Sequence, residues 1–139
     1  MNKKDRQKAK EQREADLERL QRLTAYVDGC QELECDGASR IVGLALHRAR
    51  VPFKMLIGFV TWKAASGRSY TVNPHIWVEA LGFVIDYRLR MWTEEEADHG
   101  VFYPDGDLVY RSVSTLPFDL GVAAVLEDVF NVYPQESGA

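Results

Sequence analysis

The N-terminal segment of the chain combines a polar half with a half that carries one apolar stripe. Residues 2–28 contain no Gly or Pro and are rich in Lys, Glu, Gln, Arg, Ala and Leu, which favour helix. Large aliphatic side chains enter only in the second half, at Leu17, Leu20, Leu23 and Val27. Their spacing predicts a long helix whose C-terminal part packs on the protein body. Residues 1–16 have no apolar side to bury, so we expect a polar helical extension or disorder there.

A second apolar segment has the pattern of a buried helix. Residues 37–50 carry closely spaced Ile, Val, Leu and Ala, which give most of the helix surface an apolar character. Asp36 is a candidate N-cap for this helix, and Pro52 prevents its continuation. The segment therefore predicts a helix that is largely surrounded by the rest of the protein.

Apolar, β-prone runs follow and predict an antiparallel sheet of about four strands. The runs cover residues 54–62, 75–80, 83–89 and 108–113. The second and third runs are separated only by Leu81-Gly82, which predicts a hairpin. Polar residues dominate 63–73 and 93–107, so these two segments are expected to be loops.

The C-terminal region predicts one more helix and a tail. Residues 117–129 have helical periodicity, and Asp119 stands near the start as a candidate cap. Residues 134–139 are expected to be disordered. The expected fold class is α+β, with residues 17–133 as one domain in which a buried helix packs on the sheet and a long helix precedes it.

Composition narrows the class of protein. Hydrophobic residues make up 46% and charged residues 27% of the 139 positions, values that fit a globular domain with its own core. No apolar run approaches about 18 residues, so no membrane span is expected. Lys and Arg near the N-terminus are not followed by an apolar stretch, which argues against a secretory signal.

With only two cysteines, Cys30 and Cys35, a reduced cytoplasmic protein is expected.

Charge is distributed unevenly along the chain. Residues 1–13 hold six Lys or Arg against one Asp and one Glu, a net charge of +4, and the whole chain carries −4. The remaining chain is therefore at −8 (−4 minus +4), which argues against a nucleic-acid-binding domain. The basic tip can contact nucleic acid or an acidic partner, but a solvated helix end is the simpler interpretation. The oligomeric state is left open.

The candidate chemistry centres on Cys35, which directly precedes the predicted buried helix. A cysteine nucleophile acts as a thiolate, and the N-terminus of a helix favours that form. The same free N–H groups can stabilise a developing oxyanion. A general base and a group that orients it are also required, and the hairpin offers His75 and Asp86. With a turn centred on residues 80 and 81, His75 would directly face Asp86 across the two strands.

These segments resemble the transglutaminase-like superfamily, whose members have a papain-like cysteine-enzyme fold. Cys35-Asp-Gly-Ala-Ser39 followed by an apolar run resembles the cysteine that opens a buried helix in that family. Arg48-Ala-Arg-Val-Pro-Phe-Lys54 resembles the family's passage into the next strand. His75-Ile-Trp-Val-Glu79 and Val84-Ile-Asp86 resemble its histidine-alanine-tryptophan-valine-glutamate and isoleucine-aspartate segments, in the same order. The chain departs from the pattern at Arg50, where the family often has Gly, and at Tyr87, where it usually has Pro.

The resemblance implies an enzyme with a Cys35, His75 and Asp86 catalytic triad and no cofactor or metal. Cys35 would attack an amide carbonyl of a protein or peptide, His75 would transfer the proton, and Asp86 would orient the imidazole. The expected activity is that of a peptidase or amidase, or acyl transfer of the transglutaminase type. By position, Gln31 is a candidate for stabilising the oxyanion.

Other interpretations of the same residues remain open. Cys35 can be a small buried hydrophobe, and the chain can be a non-catalytic interaction module that retains the fold. The cleft candidates Trp62 and Trp77 can equally be core residues, and His99 can be an exposed loop histidine. A zinc site built on both cysteines, His75 and His99 matches no common ligand spacing.

Overall fold

In a computed structural model that describes residues 2–134, the chain adopts an α+β fold. The helices within this range are α1 (Lys3–Thr24), α2 (Cys35–Arg48) and α3 (Leu120–Phe130). The strands are β1 (Lys54–Lys63), β2 (Ser69–Ala80), β3 (Phe83–Asp86), β4 (Gly100–Phe102) and β5 (Leu108–Leu116). Short 3-10 turns lie at Ala25–Gly29 and Leu89–Met91. The predicted α+β class is confirmed.

The sheet has five strands in the described part of the chain, in the order β4-β3-β2-β1-β5, and all its pairings are antiparallel. The expectation of about four strands was therefore wrong. The additional strand, β4, lies in the segment 93–107, which was predicted to be a loop. Only three residues of this polar segment form a strand, by pairing with β3, which is too few to be recognised from the sequence. Likewise β2 begins at Ser69, inside the other predicted loop, because its polar start is held by pairing with β1.

A bulge separates two stretches of regular pairing along β1. The register with both neighbouring strands shifts near Gly58. A Cβ atom at this position would lie 2.0 Å from the Arg111 carbonyl oxygen on β5, so only Gly fits the close approach. The bulge bends the sheet. Phe102 of β4 and Tyr110 of β5, on opposite edge strands, have ring centroids 6.0 Å apart, which shows how strongly the sheet curves.

The core occupies both faces of this sheet. Helix α2 packs on one face, where Ile41 and Leu46 join Val78 and Ile85 in one buried cluster. The opposite face holds a second cluster that includes Trp62, Trp77 and Leu108. Alternation along β2 sends Val78 to the first cluster and Trp77 to the second.

Helix α1 matches the predicted division into two halves. Its predicted stripe packs on the first cluster through Leu17, Leu20, Leu23 and the following Val27. The N-terminal half is exposed but helical from Lys3, and the Asn2 side chain caps it by accepting a hydrogen bond from the Asp5 N–H at 2.8 Å. The expected tail disorder, beyond Pro134, lies outside the described residues. Across residues 2–134 the helices lack the combined length and apolarity that a membrane span requires.

Candidate active site

Cys35 is the first residue of α2, two residues earlier than predicted. Glu34, not Asp36, is the N-cap, and no side chain hydrogen-bonds to the helix start. Asp36 lies in the first turn and bonds Arg40 at 2.9 Å. Cys35 is partly exposed and sits at the positive end of a 14-residue helix, among N–H groups that have no intrahelical partner.

His75 and Asp86 form a buried pair, with Nε2 of the imidazole 2.6 Å from Oδ2 of the carboxylate. The predicted register was wrong, because Ala80 pairs with Phe83 and the turn is the two-residue Leu81-Gly82, both with positive φ. The paired positions thus shift by two, and His75 meets Asp86 diagonally. A shift of two keeps each side chain on its face of the sheet, so the contact survives.

The Asp86 carboxylate accepts hydrogen bonds from three groups. Besides His75, the Tyr110 hydroxyl donates to Oδ2 at 2.7 Å, and the Arg88 backbone N–H donates to Oδ1 at 3.0 Å. Asp86 is only 4% exposed, so these donors replace the water that a charged carboxylate would otherwise bind. Burial, together with the nearby Asp86 charge, raises the pKa of Tyr110 far above its usual range, which keeps the hydroxyl a donor.

The His75 imidazole is fully buried and reaches both Asp86 and Cys35. Burial lowers its pKa, but the hydrogen bond to Asp86, the proximity of Cys35 and the charge of Asp86 raise the pKa more, to about 9. Nδ1 has no hydrogen-bond partner among the described residues. Cys35 is therefore near enough to affect the pKa of the imidazole but forms no hydrogen bond with Nδ1.

The space around Cys35 is a narrow crevice. It has no room for a water molecule, and both Cys35 and Asp86 contribute to its lining. Tyr87 and Arg88 line it as well. In this conformation, Cys35 is therefore approachable only from its exposed side.

The remaining predicted site residues lie elsewhere or in the core. Gln31 is exposed, and its amide donates to the Asp28 carbonyl at 3.1 Å. His99 bonds the Asp28 carboxylate through Nε2 at 2.8 Å. Trp77 is fully buried, with its ring centroid 6.3 Å from that of His75, and Trp62 stacks on Tyr70. Of Gln31, His99, Trp62 and Trp77, only Trp77 packs against His75.

Two site residues, Arg88 and Tyr110, were not predicted from the sequence. Arg88 follows the apolar run that forms β3, and a cation in such a position indicates a buried partner. Tyr110 gave no comparable signal, because it reaches Asp86 from a strand that does not neighbour β3.

The fold and site define an α+β protein with a buried histidine-aspartate pair beside a cysteine at a helix start. Within residues 2–134 the His, Cys, Asp and Glu side chains form no cluster of three suited to a metal ion. No protein-family model matches the chain, and neither a curated protein nor a solved structure is significantly similar to it.

Proposed function

We propose that the chain is a transglutaminase-like cysteine enzyme with a papain-like core, acting on amide bonds through Cys35, His75 and Asp86. The observation that carries the proposal is the buried His75–Asp86 pair, 2.6 Å apart, beside a cysteine that begins a buried helix. A nucleophile beside a base that a third group orients is the arrangement on which covalent catalysis depends.

The chemistry follows from the charge state of His75. With a pKa of about 9, the imidazole is protonated at neutral pH, and a neighbouring imidazolium stabilises a thiolate. The Cys35 sulfur forms a bond to the amide carbonyl carbon, and the carbonyl oxygen becomes negative. The imidazolium gives its proton to the amide nitrogen, the carbon–nitrogen bond breaks, and an amine leaves. A thioester on Cys35 remains.

The second half of the reaction releases the acyl group. In hydrolysis, water attacks the thioester, the neutral imidazole accepts a proton from the water, and sulfur leaves as the thiolate. In acyl transfer, an amine takes the place of water. We favour hydrolysis, because the small domains of the resembled family are more often hydrolases. A protein or peptide is the proposed substrate, and a reduced, cytoplasmic setting suits the free Cys30 and Cys35 thiols.

The oxyanion is best placed at the start of α2. Helix N-termini provide N–H groups and partial positive charge where the negative oxygen develops. The alternative donor, Gln31, uses its amide on the Asp28 carbonyl and would have to leave that bond to act.

One observation favours a second function, a non-catalytic interaction module. The crevice beside Cys35 has no room for water, and His75 is fully buried and does not line it, so the reaction requires the site to open. A protein that retained the fold only for binding would not need such an opening.

Thiol labelling distinguishes the two functions. The rate of iodoacetamide alkylation at Cys35 is measured by mass spectrometry against pH, with Cys30→Ser used to remove the second thiol. The enzyme proposal expects rapid labelling well below the ordinary thiol pKa of about 8.5, lost in His75→Ala. Slow labelling at neutral pH that does not depend on His75 would favour the interaction module.

A covalent probe tests the chemistry itself. A panel of peptide aldehydes should yield an adduct at Cys35 in the wild-type protein and none in Cys35→Ser. Labelling at Cys30 instead would contradict the assignment of the nucleophile.

A further inference from the structure

We infer that Arg88 is a positioning residue for the proposed reaction: its guanidinium holds the segment that leads into Cys35 against the strand that carries Asp86. This inference rests on the proposed function and adds to it a residue outside the triad. Arg88 directly follows Tyr87 after β3, and its side chain is only 3% exposed.

The guanidinium binds the backbone of the segment before Cys35. It donates to the carbonyl oxygens of Val27 at 3.2 Å, Cys30 and Leu33, and also to that of its neighbour Tyr87 at 2.7 Å. One further bond, at 3.0 Å, goes to the Asp28 carboxylate. Residues 27–33 are thus attached at several points to one side chain.

These bonds fix the segment that leads into a helix without a side-chain cap. Helix α2 begins at Cys35 without a side-chain cap, and its approach through residues 30–34 is irregular. Buried carbonyl groups need donors, and Arg88 supplies them to Cys30 and Leu33, the latter two residues before the nucleophile. Loss of the guanidinium would leave the Leu33 carbonyl without this donor and the Cys30 carbonyl with only the Leu33 N–H, at 3.3 Å, so the helix start would be poorly fixed.

The same residue also supports the other half of the site. The Arg88 backbone N–H donates to Oδ1 of Asp86 at 3.0 Å, and the side chain lines the crevice beside Cys35. Arg88 therefore links the nucleophile's segment and the carboxylate through separate atoms. Lys cannot substitute, because a single ammonium group does not present the fork of donors that these acceptors require.

The expected effect is a loss of Cys35 reactivity in a protein that remains folded. Displacing a reacting group by about 1 Å can slow a reaction about 10²-fold. For Arg88→Lys and Arg88→Ala we expect alkylation of Cys35 by iodoacetamide at neutral pH to slow by about 10- to 100-fold. The exposed Arg111 on β5 gives the matched controls Arg111→Lys and Arg111→Ala, which should label at the wild-type rate.

Chemical rescue separates positioning from general damage. Guanidinium ion at a non-denaturing concentration should restore much of the Cys35 labelling in Arg88→Ala and leave the wild-type rate unchanged. Far-UV circular dichroism and thermal melting identify any variant that has unfolded. If neither Arg88 variant folds, Asp28→Asn tests the positioning role instead. Among residues 2–134, this substitution removes the only charged partner of the Arg88 guanidinium, a half-exposed carboxylate, and should slow the labelling of Cys35 measurably.

The outcomes for the two proposals are distinct. If wild-type Cys35 is unreactive, or labels equally in His75→Ala, the proposed function fails. If wild-type labelling is fast and depends on His75, but a folded Arg88 variant labels at the wild-type rate, the positioning role is overturned. If no Arg88 variant folds, labelling of Asp28→Asn at the wild-type rate also overturns the positioning role.

Discussion

His75 and Asp86 meet diagonally across the β2–β3 hairpin, with Nε2 and Oδ2 2.6 Å apart. The ladder between these strands ends at the pair Val78 and Ile85, so neither residue belongs to it. The contact is therefore made by side chains where the two strands cease to pair. A buried imidazole in this position depends on the carboxylate for its charge state.

Replacing Asp86 by Asn should lower the pKa of His75 from about 9 to below its ordinary value of 6.5. Burial then acts on the imidazole without the compensating carboxylate. The measurement is an NMR titration of the His75 ring proton, assigned with His75→Gln. Asp36→Asn is the control, because Asp36 bonds Arg40 instead. A His75 pKa that stays near 9 in Asp86→Asn would show that the carboxylate is not its cause.

Stability should fall as the pH rises from 6.5 to 9. His75 binds its proton more tightly in the folded protein, with a pKa of about 9, than in the unfolded chain, with about 6.5. The contribution of His75 to the free energy of unfolding is complete below pH 6.5 and is lost as the pH rises through 9. The loss amounts to about 3 kcal/mol at most. Urea denaturation from pH 6.5 to 9 should show that the free energy of unfolding falls more steeply in the wild type than in His75→Gln. Parallel curves for the two proteins would refute the linkage.

Removing the Tyr110 hydroxyl should destabilise the protein although the ring stays packed. Tyr110→Phe takes one of three donors from the buried Asp86 carboxylate, and we expect a loss of about 1–3 kcal/mol in unfolding free energy. Tyr103→Phe serves as the control, since that ring is half-exposed and stacks on Phe83, and its effect should stay within about 0.5 kcal/mol. Equal stability of the two variants in chemical denaturation would contradict the role of the hydroxyl.

The ion pair between α2 and α3 should respond unequally to single and double substitution. Arg48 binds Glu127 through two bonds, at 2.6 and 2.9 Å, and the Glu127 side chain is 7% exposed whereas that of Arg48 is 50% exposed. Arg48→Met leaves a buried carboxylate unpaired and should lower the free energy of unfolding by about 2–3 kcal/mol. This loss is smaller than the one expected for a fully buried ion pair, because Arg48 is half-exposed. The double variant Arg48→Met with Glu127→Leu should regain part of this loss in urea denaturation. A double variant less stable than Arg48→Met would contradict the argument.

The sequence predicted those elements whose pattern is local. Helix α1 shows its packing half in the spacing of Leu17, Leu20 and Leu23, and Asp119 caps α3 by accepting from the Val122 N–H at 3.0 Å, as its position indicated. Strand β4 was missed, because three residues in a polar segment carry too little periodicity to be recognised. Its pairing with β3 is a long-range effect.

The contact of His75 with Asp86 was within reach of the sequence, since alternation fixes the face of a strand and survives a register error of two residues. The sequence also placed Cys35 close to a helix start, although the helix begins earlier than its apolar pattern suggested.

Only the tertiary structure decided that the thiol, Arg88 and Tyr110 converge on that pair. Each comes from a different segment, and their meeting depends on how strongly the sheet curves and how the segment before α2 folds onto it. Periodicity records which side of an element is buried, whereas the distance between elements far apart in the chain is set by the packing of the whole core.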